Sequence, residues 1–355
     1  NPKPQTPNPK PQTPNPSTLI MIFYSLLTLL LTSLPTVHTL ASPSDLVTVG
    51  ILSQPASEPM KLQYYHPSDN WTFVAGSYVD WVGSAGAMPV LIPFDIDWEE
   101  MVVLLDGIDA VLLPGGGANL MKRSDVTVPS YYQVVTNRII QWVKERNDKG
   151  KFYPLFATCL GFENLIIEET NSTATLECDL DDEVAAHSVE IVPAFDSSPF
   201  WQRVGIDLAK KVFATDSIYY THSCGIRDTS FLKSKRLTDA YTLLGTSVSR
   251  NNIKFVACVE HKKYPIIGNQ WHPEKTLFER GKLYEFLDRS DDATELMQRI
   301  ISRFVHMVRE KGSPKNSKDI GQNIKKLFSS NRVSETLPLS FYERVYTFQR
   351  YHYYE

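Results

Sequence analysis

From position 46 onward, short runs of β-branched and large apolar residues alternate with stretches where apolar residues recur every three to four positions. Residues 47–52 have the continuous apolar character of a buried strand. Residues 73–85 have helical spacing and stop at Gly86, and residues 88–92 return to strand character before Pro93, so these three segments predict a βαβ unit. A short helix over 98–105 leads to a strand over 110–113, which runs into Pro114 and the glycines 115–117. A long helix over 131–149 follows, with Gly150 in the position of a C-terminal cap. A strand over 153–157 then turns through Thr158-Cys159-Leu160-Gly161 into a helix from Phe162. Further on, strands are predicted over 189–192, 241–247, 255–260 and 266–269, the last three close enough in sequence to pair partly antiparallel. An amphipathic helix is predicted over 291–311, with Ala293, Leu296, Met297, Ile300, Ile301, Phe304 and Val308 on one stripe. This alternation predicts an α/β fold, a doubly wound and mostly parallel sheet with helices on both faces.

Composition sets the limits of that domain. With 355 residues, 42% hydrophobic and 21% charged, the chain can bury one large core, assigned here to residues 42–311. A net charge of −4 without a Lys/Arg stripe argues against a nucleic-acid partner and for a small-molecule or peptide one. Residues 1–20 repeat a Pro-rich heptad without a Met and read as a low-complexity coil that need not belong to the native protein. Residues 21–41 read as a signal peptide. The apolar run 22–34 is too short for a stable bilayer span, and Thr39 and Ala41 suit cleavage after Ala41. Glycosylation sequons at Asn70 and Asn171 fit the same secretory route, towards a lysosome, a vacuole or the extracellular space. Residues 312–330 are polar and basic, an expected connector. Residues 337–355 are rich in Tyr and Phe, and are expected to dock back as a strand on the domain or on a second subunit of a homodimer.

Three segments carry candidate chemistry. Cys159 sits between a strand and a helix, an elbow that exposes a nucleophile at the carboxyl edge of a sheet, where the helix N-terminus is expected to lower the thiol pKa. His272 follows a strand, with Glu274 two residues on and Pro273 between them, which suits a base held in one tautomer by a carboxylate. The loop after residue 113 offers backbone N–H groups of Gly116 and Gly117 which, with that of Leu160, can converge on an oxyanion. Taken singly, each has a plainer explanation: a structural thiol, a surface His beside an unrelated Glu, a flexible turn. All three fall at carboxyl ends of predicted parallel strands, where open α/β sheets bind ligands. The four cysteines show no C-x-x-C spacing, so neither a zinc site nor a redox dithiol is expected. With Cys159 as a thiol, at most one disulfide can join two of Cys178, Cys224 and Cys258. The acidic run 177–183 lacks a calcium-loop pattern and is expected to be a solvated loop.

The segments 113–116, 158–163 (Thr-Cys-Leu-Gly-Phe-Glu) and 270–275 (Gln-Trp-His-Pro-Glu-Lys) together resemble class I glutamine amidotransferases and, within them, the γ-glutamyl hydrolase family. Ser77-Tyr78-Val79, Ser84-Ala85-Gly86 and Tyr219-Tyr220-Thr221-His222 extend the resemblance. It implies a flavodoxin-like, amidotransferase-like sheet, no cofactor, and poly-γ-glutamyl folates as the substrate class. It also implies attack by Cys159 on the γ-glutamyl carbonyl, with His272 as base, Glu274 as its orienting acid, and His222 and Glu163 at the substrate. Ala157 and Asn164 depart from residues common in relatives, without touching the nucleophile. The rival readings are a glutaminase that passes ammonia to a synthetase, and a binding protein on a catalytically retired scaffold. The signal peptide and the absence of an acceptor domain oppose the first, and the presence of Cys159, His272 and Glu274 opposes the second.

Overall fold

The computed structural model describes residues 46–55, 71–122, 124–125, 127–311, 332–335 and 342–349. The Pro-rich heptads, the signal-peptide segment, Asn70 and the 312–330 connector lie outside these residues. In chain order the elements are β1 (Thr48–Leu52), β2 (Gln54–Pro55), β3 (Trp71–Ala75), α1 (Gly76–Ser84), β4 (Met88–Ile92), α2 (Trp98–Gly107), β5 (Ala110–Leu113), α3 (Tyr131–Asp148), β6 (Leu155–Thr158) and α4 (Leu160–Thr170). There follow β7 (Asp182–His187), β8 (Glu190–Ile191), α5 (Pro199–Val204), α6 (Ile206–Phe213), β9 (Ile218–His222), α7 (Asp228–Lys233), α8 (Lys235–Ala240), β10 (Tyr241–Val248), β11 (Lys254–His261) and β12 (Ile266–Asn269). The last are α9 (Pro273–Phe278), α10 (Asp291–Lys311), β13 (Arg332–Glu335) and β14 (Arg344–Gln349).

The main sheet runs β4-β1-β5-β6-β12-β11-β10-β8. Its first five strands are parallel, and counted among themselves in chain order they read 2-1-3-4-5, the flavodoxin-like order of a doubly wound fold. The pairs β12–β11, β11–β10 and β10–β8 are antiparallel. Alternation along the strands explains why both faces carry helices. Val49 and Ile51 of β1, Ala110 and Leu112 of β5, and Phe156 of β6 enter one apolar layer, with Trp81 of α1 and the stripe of α10. Val111 and Leu113 of β5, with Leu155 and Ala157 of β6, enter the other, packed on Ile139 and Ile140 of α3 and Leu165 and Ile166 of α4.

Local signals set several boundaries. Ser130 caps α3 by accepting from the Gln133 amide at 3.1 Å, and Gly150 closes it with φ 73° and a bond to the Asn147 carbonyl at 2.9 Å. Gly161 is required by close approach. A Cβ there would lie 2.2 Å from the Leu113 carbonyl oxygen, so only glycine lets α4 start hard against β5.

Three expectations are corrected. The segment 73–85 is not one helix, because Trp71–Ala75 form a strand and α1 begins at Gly76. That strand pairs antiparallel with β14 from the far end of the chain, in a second sheet of order β13-β14-β3-β2. The helix after the elbow starts at Leu160, two residues earlier than its apolar spacing suggested. The acidic run is not uniformly solvated either. Asp182 is fully buried on β7, which pairs with β9 in a two-stranded sheet that the sequence pattern did not reveal. Among the described residues no helix is long and apolar enough to cross a membrane.

Two glycines in the same layer system should respond oppositely to Ala. Gly161→Ala is expected to destabilise the protein by about 1–3 kcal/mol, because the nearest clashing atoms are the Leu113 carbonyl oxygen and carbon, which are backbone and cannot swing away. Gly83→Ala, at an exposed position of α1 with nothing within 4 Å, is expected to stabilise by about 0.5–1 kcal/mol. Urea unfolding midpoints of the two variants against the parent measure both signs.

Candidate active site

The site forms where β6 and β12 end side by side. Their parallel register sets Thr158 opposite Asn269, and the Cys159 amide donates to the Asn269 carbonyl at 2.8 Å. The two chain exits therefore leave the sheet together, one towards Cys159 and the other towards His272. Cys159 takes φ 49° and ψ −108°, left-handed backbone uncommon for a residue with a side chain. Its carbonyl already accepts from the Glu163 amide at 2.9 Å, so the strained residue is also the hinge into α4.

His272 lies 3% exposed, with its amide bonded to the Tyr219 carbonyl of β9 at 3.0 Å. Pro273 starts α9, and Glu274 in its first turn is fully buried with Oε1 2.7 Å from His272 Nδ1. That contact makes Nδ1 the protonated nitrogen and leaves Nε2 as a lone-pair acceptor, which has no hydrogen-bond partner among the described residues. The Tyr78 hydroxyl of α1 lies 3.3 Å from the same Nδ1 and accepts from the Gly115 amide at 2.7 Å. Gly115 is the spacer of the site. A Cβ on it would meet His272 Cε1 at 2.4 Å and Cys159 Cβ at 3.0 Å, so imidazole and nucleophile flank one glycine.

A cavity of about 1050 Å³ opens over these groups, walled by Gly116, Gly117, Cys159, Leu160, Glu163, His222, His272 and Lys275 among others. All the candidate catalytic, oxyanion and substrate residues except Glu274 line it directly, and Glu274 stands behind His272. Asn171 is exposed at the end of α4, in left-handed backbone with φ 55°.

Burial governs the electrostatics. The Cys159 thiol is pushed up, first by desolvation and then by the neighbouring Glu163 carboxyl, against a lowering contact from the Leu160 amide. The lowering expected of the helix N-terminus, supplied here through the Leu160 amide, is outweighed by burial. His272 is lowered by burial, with Glu274 opposing. The pair therefore rests as neutral thiol and neutral imidazole. Glu163 is not the solvated first-turn carboxylate its helix position suggests. It is 6% exposed and raised to about 8 by burial, with Oε1 accepting from Gln270 Nε2 at 3.0 Å.

His222, at the end of β9, is lowered to about 4 by burial against the raising effect of Asp182. Its Nδ1–H donates to the Cys224 carbonyl at 2.8 Å, and Nε2 lies 3.8 Å from Asp182 Oδ2 without a hydrogen bond. Burial thus holds it towards the neutral form, with Nδ1–H committed to the Cys224 carbonyl and Nε2 on the Asp182 side. Cys178 and Cys224 form a disulfide between two loops that line the cavity, and Cys159 and Cys258 remain free thiols. Tyr78, Gln270, Lys275 and Asp182 were not assigned roles from sequence. Gln270 and Lys275 stand in the same short segment as His272 and Glu274, and Tyr78 in the 77–79 match, which was the usable signal; Asp182 had only its place in the acidic run.

The Peptidase C26 family model matches residues 48–274. Gamma-glutamyl hydrolase 1 of Arabidopsis thaliana is 29% identical over 277 residues, covering 78% of this chain and 76% of the relative. Gamma-glutamyl hydrolase of Bos taurus is 31% identical over 216 residues, covering 59% and 63%. Gamma-glutamyl hydrolase B of Dictyostelium discoideum is 26% identical over 306 residues, covering 84% and 82%.

The buried Glu163 predicts a pH dependence of stability. Its pKa is about 8 folded against 4.5 unfolded, so the native state holds a proton that the unfolded chain releases. Its contribution is fully present below pH 4.5 and is lost as pH rises through 8. Glu163→Gln, which cannot ionise, is expected to flatten the fall in stability across that window. Urea midpoints of the two proteins measured along the pH axis check it, and parallel curves would contradict the assignment.

Proposed function

The chain belongs to the peptidase C26 family, and from that premise we propose that it hydrolyses γ-glutamyl bonds through a thioester on Cys159. Poly-γ-glutamyl folates are the proposed substrates. The observation that carries the reading is the buried His272–Glu274 pair at 2.7 Å, on the wall of the same cavity as a nucleophile held in an elbow.

In this mechanism the resting thiol is neutral, so attack and deprotonation are coupled. Cys159 Sγ bonds to the γ-carbonyl carbon as its proton passes to His272 Nε2, the nitrogen left open by the Nδ1–Glu274 contact. Backbone N–H groups of Leu160, Gly116 and Gly117 receive the oxyanion. Glu274 stabilises the imidazolium, which then protonates the departing amine as the C–N bond breaks. Water enters, gives its proton to His272 and splits the thioester, releasing the glutamyl product and restoring the thiol. The neutral His222 accepts a hydrogen bond from the substrate, and Glu163, protonated near neutrality, meets it without repelling its carboxylates.

A secretory location is proposed alongside. The disulfide Cys178–Cys224, together with the exposed Asn171, supports an oxidising compartment such as a lysosome, a vacuole or the cell exterior. A homodimer is proposed as well, although the described part of the aromatic C-terminal segment is used within the chain, where β14 pairs with β3.

Incubation with a folate poly-γ-glutamate and, separately, with glutamine tests the assignment by its products. Shortened folates with released glutamate or γ-glutamyl peptides are expected, with little ammonia. Efficient ammonia release from glutamine with the polyglutamate untouched would replace the reading with a glutaminase. Cys159→Ala is expected to lower turnover by at least about 10³-fold while retaining substrate binding. His222→Asn is expected to lower it by about 10–100-fold with iodoacetamide labelling of Cys159 nearly unchanged.

A further inference from the structure

Lys275 is 3% exposed, yet it forms part of the cavity wall together with Cys159, His272, Tyr284 and Tyr342. A buried ammonium is costly unless its charge is met, and it carries three donors. One of these goes to the Tyr284 hydroxyl at 3.0 Å. The faces of Tyr284 and Tyr342 lie 4.8 and 4.6 Å from Nζ and supply cation–π stabilisation. Among the described residues Lys275 makes no ion pair. Glu279, one helical turn on, is the strongest influence keeping it charged, but it lies beyond ion-pair distance: its Oε2 accepts from the Glu343 amide at 2.7 Å, and its Oε1 has no hydrogen-bond partner among the described residues. The result is a buried ammonium on the cavity wall that also carries the nucleophile, with no carboxylate of the described residues in an ion pair with it.

The group that fits such a place is a carboxylate brought by the ligand. In a γ-glutamyl unit the attacked carbonyl is joined through two methylenes to the carbon that bears the α-carboxylate. A cation in the same cavity as the nucleophile, whose charge is felt by both Cys159 and His272, is suitably located to hold it. Resting on the γ-glutamyl hydrolase reading, we propose that Lys275 anchors the α-carboxylate of the glutamyl unit that Cys159 attacks, and that Tyr342 is the positioning residue that holds the ammonium in place. Both residues lie outside the span matched by the family model. Tyr342 arrives with β14, whose entry is fixed by the Glu343 amide on Glu279 and by the Arg280 amide on Glu343 Oε1 at 2.7 Å. The C-terminal segment is thereby part of the substrate site and not only an edge of the second sheet.

The test uses a γ-glutamyl anilide and the same compound with its α-carboxylate converted to a carboxamide. Calorimetry on the Cys159→Ala protein is expected to give about 10–100-fold tighter binding of the carboxylate form, the range of one charge-assisted contact. In Cys159→Ala/Lys275→Met the two forms should bind alike, at the level of the carboxamide. Lys275→Gln, able to keep the Tyr284 contact without the charge, serves if the Met variant does not fold. In the otherwise native enzyme, Tyr342→Leu should raise KM for the carboxylate form with little change in kcat, and Tyr342→Phe, which keeps the ring, should restore it. An undiminished preference for the carboxylate form in the Lys275 variants overturns the anchor, and equal effects of Tyr342→Leu on both compounds overturn the positioning role. Should the native enzyme fail to cleave the anilide while the Lys275-dependent preference persists, the hydrolase reading falls and the anchor stands. Absence of both overturns both.

Discussion

The pairing of β6 with β12 is the constraint on which the site depends. Parallel hydrogen bonding from Leu155–Ile266 to Thr158–Asn269 brings two chain exits to one edge of the sheet, although they are far apart in sequence. The Cys159 amide bonded to the Asn269 carbonyl continues that ladder by one step beyond β6. Past it the backbone can no longer remain extended and turns through left-handed geometry into α4. Gly161 makes the turn possible by letting α4 approach the Leu113 carbonyl, and Leu113 is also where the glycine loop leaves β5. Nucleophile, base and oxyanion loop are therefore consequences of three adjacent parallel strands ending at the same level.

Around that edge, dehydration is the second organising fact. The thiol and the imidazole are both moved towards their neutral forms by burial, and Glu163 is driven towards its acid form by the same cause. In the proposed mechanism charge is created only when substrate arrives, with Glu274 behind the imidazole. His222 follows the same logic, being neutral in spite of Asp182 nearby. Lys275 is the exception, since Glu279 and the tyrosine faces favour its charged form, and this is the ground for the proposed carboxylate anchor.

The second sheet links the chain's far end to this edge. β14 pairs with β3 over Val345–Ala75 to Gln349–Trp71, and Arg344 packs so closely on Gly76 that a Cβ there would lie 2.9 Å from its carbonyl oxygen. Because α1 begins at Gly76, the same contact sets the helix that delivers Tyr78 to His272. The strand that brings Tyr342 to the cavity and the helix that brings Tyr78 are thus positioned against each other.

Much of the fold was legible in the chain because its signals are local. Strict apolar periodicity located β4, β5, β12 and α10, and the strand-turn-helix pattern with glycines at 115–117 and 161 marked the edge where Cys159 and His272 meet. The identity of Glu274 as partner of His272 was readable too, since one proline separates them. What sequence could not supply was everything decided by a partner distant in the chain. Residues 73–75 fall within the helical spacing of 73–85, and pairing of 71–75 with β14 on one side and β2 on the other selects the strand. The disulfide could have joined any two of three cysteines until β9 and the 178 loop were brought together. Above all, the pKa of a side chain depends on how much water folding removes from it. Glu163 in a first helical turn and Cys159 at a helix N-terminus look charged from sequence, and burial moves both towards their neutral forms.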